Sequence, residues 1–531
     1  MSEALPILIP LLATLALVSA LAPRLRAPLP VLLTLGGAAV ALVPGMPAFE
    51  LPPELVLVMF LPLLLYADAF DTSWVDFKRW LRPIIMLAVV LVALTILVVG
   101  LVAHRVLPGL PWPACFLLGA IVSPTDTVAV QAVIERLRVP RRITAIVGGE
   151  SLVNDATSLV GVQIAVMAIL SGSFDATGVA LSFARVAGLG LVTGLAIGAL
   201  FSFANRRLRD TQVLFVLSLL APYLAFLIAD RLHASGVLAV VVAGFVVSWN
   251  IHFVPAESRV SLYETWTLVV SVLTGLCFVF IGLQAPHGLP ALFPEGGASL
   301  LPAALWISAA IVLLRIAACF AFGYGQLALS ARRRGLEGGY PSWRGVAVVS
   351  WCGVRGIVSL AAALAVPREL ADGKPFPGRE QIVACTLVVI LVTLVGQGLT
   401  LLPMIRAFGL RDDEDSQRQV RSAREAVLSA GIARLDAFCS EQSCPISVHH
   451  WREHMQDELT TLRDADAEQR ERARLRVNVS HEVHRAVADA QAVALLALRD
   501  RGGINDKTYI ELQLELDREV FGAQTAAVQA G

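Results

Sequence analysis

Three acids and an arginine stand inside runs that are otherwise apolar. SPTDTVAV (residues 123–130) places Thr125 and Asp126 just after Pro124, GGESLVNDATSLVG (148–161) carries Glu150, Ser151, Asn154 and Asp155, and SWCGVRGIVSLAAALAVP (350–367) holds Arg355 between Gly353 and Gly356. On an α-helix Ser151 and Asp155, four residues apart, share a face, and Glu150 and Asn154 share the neighbouring one. An ionisable group at the centre of a bilayer costs about 2.5 to 3.5 kcal/mol on insertion scales, so these groups need partners or a function. Arg355 can neutralise only one acid, so Glu150 or Asp155 must hold a proton or a mobile cation much of the time. Desolvation acts against the bare carboxylate, which can take either ligand but not both. The hydroxyls of Ser151 and Thr125, with a backbone carbonyl freed at a helix break, are hard oxygen ligands suited to a hard monovalent cation. If such a site opens to one side at a time and only when loaded, exchange follows. Asp68, near the end of PLLLYADAFDTSW (62–74), is either a further ligand or an end-of-helix residue reaching for the interface.

The elements that must position these groups are membrane helices. The chain has 531 residues, 56% hydrophobic and 16% charged, with a mean hydropathy of +0.71, outside the profile of soluble domains. Windows of ~17 to 25 apolar residues give thirteen candidate spans, at about 5–22, 29–44, 53–70, 83–104, 113–134, 143–170, 180–204, 212–230, 235–250, 265–285, 301–330, 345–366 and 381–408. Seventeen Lys and Arg residues follow odd-numbered spans and five follow even-numbered ones, which puts the N-terminus outside and the C-terminus in the cytoplasm. Pro124 removes a backbone donor and clashes with the preceding turn, so the fifth span should break near its middle. Lipid cannot satisfy the freed groups, so the break must be buried or face a wet cavity. Spans five and twelve, each interrupted and each charged, differ by an odd number and cross the membrane in opposite directions. That is the pattern of an inverted repeat whose broken helices meet at the midplane.

Lys plus Arg equals Asp plus Glu at 42 each, so the overall charge offers no handle for nucleic acid. The first apolar run lacks a basic leader and reads as a retained helix rather than a secretory signal. From residue 411 the chain turns charged and helix-favouring, which separates a membrane domain (1–410) from a helical cytoplasmic tail (411–531). In the tail, Cys444, His449, His450 and His454 read as a solvated helix face rather than a zinc site, and the scattered cysteines are read as unpaired. No His lies at midplane depth near Ser151 to activate it, so the chain does not read as an intramembrane enzyme, and no cofactor is expected. The polar groups cluster at one depth, which disfavours a channel against a carrier; a membrane sensor on the same architecture is the remaining alternative.

SPTDTVAV, GESLVNDATSLV and GVRGIVSLAAALAVP, in this order, resemble the monovalent cation:proton antiporters of the first type, which include bacterial sodium/proton antiporters and the animal sodium/proton exchangers. The likeness runs over residues 5–408. It implies an all-α, thirteen-helix homodimer in the inner cell membrane, serving pH homeostasis. In each protomer a core with two crossed, interrupted helices would move against a dimerisation domain like an elevator. It implies Na+ and H+ as the transported ions, with Li+ and K+ as alternatives and K+ selectivity as a competing reading. Asp155 corresponds to the alternating carrier of proton and cation, Asn154 to its neighbour, and Ser151 to a coordinating hydroxyl. Thr125 and Asp126 match the break, where the Thr backbone oxygen is a ligand, and Glu150 and Arg355 match a buried ion pair. An Asn before the carrier Asp goes with electroneutral exchange. The chain departs from the pattern at Thr127, where many relatives have Pro, and at Ala67, where relatives often carry the acid that here stands at Asp68.

Overall fold

In a computed structural model the described residues are 5–25, 27–44, 51–137, 139–171, 176–293, 299–331, 342–370, 373–410, 414–441, 446–462, 490–491, 493–494 and 497. The chain divides into two compact units, Met1–Asp412 and Asp413–Gly531. Among the described residues there is helix and no strand, apart from one isolated bridge between Glu369 and Pro375.

The first unit starts with α1 (Leu5–Leu25) and α2 (Leu29–Ala41), followed by a π-helical turn (Leu55–Phe60) that runs into α3 (Leu61–Asp71). The short α4 (Trp74–Arg79) leads to α5 (Leu81–Ile85), which continues through a π-helical turn (Met86–Leu91) into α6 (Val92–Val106). Then come α7 (Trp112–Ile121), α8 (Val128–Arg136), α9 (Arg141–Ser171), α10 (Ala176–Arg207), α11 (Thr211–Arg231), α12 (Gly236–Trp249), α13 (Ala256–Leu292) and α14 (Leu301–Ala331). The unit closes with α15 (Trp343–Trp351), α16 (Ile357–Leu364), α17 (Arg379–Leu391), a π-helical turn (Val392–Gln397) and α18 (Gly398–Phe408). Among the described residues eight helices are long and apolar enough to cross a membrane, and α2, α7 and α12 are shorter apolar ones.

Local chemistry sets the ends. Asp210 accepts from the Val213 amide at 2.9 Å to start α11, and Ser342 accepts from the Gly345 amide at 3.1 Å to start α15. Gly409, with φ of 61°, closes α18 in the left-handed conformation that a side chain disfavours. Small residues let helices touch. Gly190, Gly194 and Gly198 recur every fourth residue on α10, and a methyl on Gly194 would stand 2.5 Å from the Ala239 carbonyl of α12. This is the small-residue seam by which helices associate in lipid, where apolar side chains gain nothing by leaving their surroundings. The same closeness joins α2 to α13, where methyls on Gly37 and Gly282 would fall on the backbone of Val279 and Thr34.

Two sets of helices emerge from the packing. α2 lies along α13, and α12 packs with α3, α10 and α11; α7 packs with α6 and α9, and α14 with α6, α15 and α17. The functional groups lie where the two sets face each other.

In the second unit, α19 (Glu414–Glu441) and α20 (Ile446–Leu462) form an antiparallel pair. Arg452 donates to Asp436 at 2.5 Å, the Arg421 guanidinium donates to the Leu462 carbonyl, and Gly431 faces Met455. Cys439 is disulfide-bonded, which corrects the reading of that cysteine as unpaired, whereas Cys115, Cys277, Cys319, Cys352 and Cys385 are free; Cys444 lies outside the described residues. Among the described residues no group of three or more His, Cys, Asp or Glu side chains is placed to hold a metal ion. His450 and His454 face Glu453 and Glu458 on their own helix.

Candidate cation site

The break near Pro124 is real: α7 stops at Ile121, α8 starts at Val128, and residues 122–127 are non-helical. A second break separates α15 from α16 across residues 352–356. The two cross. The Asp126 amide donates to the Val354 carbonyl at 2.7 Å, so the two non-helical segments are hydrogen-bonded to each other.

Crossing two broken helices brings two N-termini and two C-termini together inside an apolar bundle, each with unpaired backbone groups and a partial charge. One acid and one base answer this. Asp126 Oδ1 accepts from the Val128 amide at 2.9 Å, capping α8, while a methyl on Gly356 at the start of α16 would fall on the same carboxylate. Asp126 therefore caps α8 and lies against the start of α16, and only a glycine at 356 allows the approach. Arg355 donates through Nε to the Val122 carbonyl at 3.0 Å, at the end of α7, and through a terminal nitrogen to the Gly353 carbonyl just after α15. It serves both C-termini.

That role explains a correction. The expected Glu150–Arg355 pair is absent; Glu150 is paired with Arg315 of α14. The two Arg315 terminal nitrogens donate to Glu150 Oε1 at 2.5 Å and Oε2 at 2.8 Å, a bidentate fork between side chains only 2% to 3% exposed. Arg315 also donates to the Ser350 and Val349 carbonyls, at 3.2 and 3.1 Å, at the end of α15. Thr125 Oγ1 donates to Glu150 Oε1 at 3.4 Å. The pair thus ties α9 and α14 to both breaks, while the guanidinium of Arg355 is already spent on helix carbonyls. Arg315 had a visible signal, a lone arginine in AAIVLLRIAACF (309–320), of the same kind that singled out Arg355.

α9 lays a polar face on the first break. Ser151 Oγ donates to the Thr125 carbonyl at 2.9 Å, Asn154 Nδ2 to Thr125 Oγ1 at 2.7 Å, and Ser158 Oγ to the Ala120 carbonyl at 2.8 Å. Asp155, one residue beyond Asn154, is 5% exposed and has no hydrogen-bond partner among the described residues. It lines a cavity of about 50 Å³ with Asp68, Thr125, Asp126 and Ser151, room enough for a small ion with water. The remaining walls include Val56, Phe60 and Leu65 on one side and Thr274, Cys277, Phe278, Gly356 and Ser359 on others. Every residue proposed from sequence for cation binding is thereby placed at or beside one cavity, Asp68 included, while Asn154 stands behind it and holds the break. With Glu150 paired to Arg315 and Asp126 spent on helix ends, Asp155 and Asp68 are the carboxylates left facing the cavity. Such a group, with hydroxyl and carbonyl oxygens beside it, can take a proton or a small hard cation.

Broken helices crossing at buried acids in a multi-pass helical bundle define the architecture of a secondary transporter. The transmembrane sodium/hydrogen exchanger family matches residues 11–407. The chain is 32% identical over 524 residues to an uncharacterized Na+/H+ exchanger of Mycobacterium tuberculosis, covering 97% of this chain and 95% of that one. It is 31% identical over 435 residues to a sodium, potassium, lithium and rubidium/H+ antiporter of Bacillus pumilus, covering 79% of this chain and 64% of that one. Its fold is similar to the solved sodium proton antiporter MjNhaP1 of Methanocaldococcus jannaschii, with a TM-score of 0.61 at 21% identity, over 76% of this chain and 98% of that one. The chain belongs to the sodium/hydrogen exchanger family.

Proposed function

We propose that this chain exchanges Na+ for H+ one for one across the inner cell membrane, with Asp155 as the group for which the two ions compete. The observation that carries the reading is the isolation of Asp155: Glu150 is neutralised by Arg315, Asp126 is held at the start of α8 by a backbone amide, and Asp155 faces the cavity without a partner. Ser151 and the Thr125 carbonyl supply neutral oxygens, and Asp68 and Asp126 stand on the same cavity. Because Asn154 cannot ionise, a single change of occupancy at Asp155 trades one positive charge for another, which makes exchange electroneutral.

Alternating access is an elevator motion of the helices that carry the breaks against the set containing α2, α3, α12 and α13. The cavity between the two sets supports this reading, since sliding one against the other would expose it to either side. The protein forms a homodimer with thirteen crossings per protomer, the N-terminus outside and the C-terminus in the cytoplasm, as the distribution of Lys and Arg supports. Residues 411–531 are a cytoplasmic regulatory tail. A broader selectivity that includes K+ is a second reading, favoured by the likeness to the sodium, potassium, lithium and rubidium/H+ antiporter of Bacillus pumilus.

The test is dissipation of an imposed pH gradient in liposomes holding the purified protein, with Na+, Li+ or K+ added and the membrane potential clamped or free. Na+-dependent dissipation that ignores the clamp supports the proposal. Dissipation by K+ alone selects the second reading, and no cation-dependent dissipation ends both.

A further inference from the structure

Hydroxyl side chains in these helices normally turn back and donate to a carbonyl three or four residues earlier. On α13, Thr265 does so at 2.8 Å, Thr267 at 2.8 Å and Ser271 at 2.7 Å, and Thr393 does so in the last span at 2.8 Å. Two hydroxyls that line the cavity do not. Thr274, on the uninterrupted middle of α13, has a buried Oγ1 with no hydrogen-bond partner, although the carbonyls that its helical neighbours use are available to it in sequence. Ser359, 0% exposed in the first turn of α16, also has a buried Oγ without a partner. The carbonyls it would reach belong to Arg355 and Gly356, in the extended crossing where Gly356 has φ of −136° and ψ of −152°.

A buried hydroxyl without a partner is costly, and a native one calls for an explanation such as an ion or water that it serves. The two stand on different sets of helices. Thr274 shares the wall of α3 and α13 with Asp68; Ser359 shares the wall of α9 and α16 with Asp155 and Ser151. Asp155, Ser151 and the Thr125 carbonyl offer a small cation oxygens from one wall and Asp68 from the other, which is fewer than it gives up on leaving water.

We propose that the hydroxyls of Ser359 and Thr274 are further oxygen ligands of the transported monovalent cation, one from each wall of the cavity. This rests on the exchange reading above. Ser359 travels with the carrier carboxylate, whereas Thr274 belongs to the opposing wall and can touch the ion only while the cavity is placed as seen here. Ser359 therefore sets affinity on both sides of the membrane and Thr274 on one.

The test uses the full chain, comparing wild type with Ser359→Ala, Thr274→Val and Thr274→Ser. Exchange is measured in liposomes, and the rise in unfolding temperature with added Na+ is measured in detergent, since an ion that binds only the folded protein stabilises it by mass action. For Ser359→Ala and Thr274→Val the apparent KM for Na+ should rise about tenfold, with a far smaller change in maximal rate and a weaker Na+-induced thermal shift. Thr274→Ser, which keeps the oxygen and loses the methyl, should restore the wild-type KM. Wild-type exchange with unchanged KM and unchanged thermal shift in both Ala and Val variants overturns the proposal. So does a fall in rate that Thr274→Ser shares, because that marks packing rather than ligation. Should one variant fail to fold, the other decides. Absence of cation-dependent exchange in the wild type would instead remove the exchange reading itself.

Discussion

At the scale of the residue, the chemistry of the site follows from which charges are already answered. Asp155→Asn should abolish cation-dependent exchange while leaving the unfolding temperature unchanged or higher, since it removes a buried carboxylate without a partner; residual wild-type exchange would remove Asp155 from the mechanism. Competition at one carboxylate has a definite sign with pH: acidification should raise the apparent KM for Na+, and alkalinisation should lower it to a plateau, at a maximal rate that moves less. A KM independent of pH would contradict shared occupancy. Arg315→Ala should cost about 3 to 5 kcal/mol, because it leaves Glu150 buried and unpaired, and should be more damaging than Arg355→Ala, which orphans carbonyls but no charge. Adding Glu150→Gln should recover part of the loss, as thermal unfolding of the double variant would show. Asp155, Ser151 and Asn154 were legible in the sequence because i and i+4 spacing on one helix is local information. The partner of Glu150 was not, because it lies 165 residues away and a sequence shows which charges share a depth but not which meet.

At the scale of the element, the interruption near Pro124 and the one flanked by Gly353 and Gly356 were both legible, since each follows from a residue that cannot continue a helix or that removes its side chain. The division of labour between Asp126 and Arg355 was not. It depends on the breaks crossing, which the Asp126 amide to Val354 carbonyl bond fixes. Asp126→Ala should therefore destabilise by at least a single lost cap, ~1 kcal/mol, since α8 loses its acceptor and the start of α16 loses the carboxylate packed against it. Asp126→Asn keeps the Oδ1 acceptor for the Val128 amide and should recover most of the stability. Equal thermal unfolding of the two variants would argue against the capping role.

At the scale of the whole molecule, hydropathy and the alternation of basic loops outlined a bundle whose helices the structure finds in each apolar run, while the facing of one helix set against the other came only from packing. The role of the tail is open to one experiment: removing residues 415–531 should alter the pH profile of exchange or weaken the proposed dimer, and a truncated protein equal to the full chain in rate, pH profile and oligomeric state in detergent would leave the tail without either role. The three π-helical turns, at Leu55–Phe60, Met86–Leu91 and Val392–Gln397, also say what lengths of chain this bundle accepts. Each is a turn closed one residue late. Deleting a single residue from Leu55–Phe60 would return that stretch to an ordinary α-helix and keep the faces on either side of it in phase, since the late-closing turn holds the extra residue. A residue deleted from α3 itself would instead swing everything before it by about 100° relative to Asp68, and Val56 and Phe60 could not then stay on the cavity beside it. The π-helical turns are therefore the places where these helices accept a chain one residue shorter without re-drawing a wall, and the straight helices are where they do not.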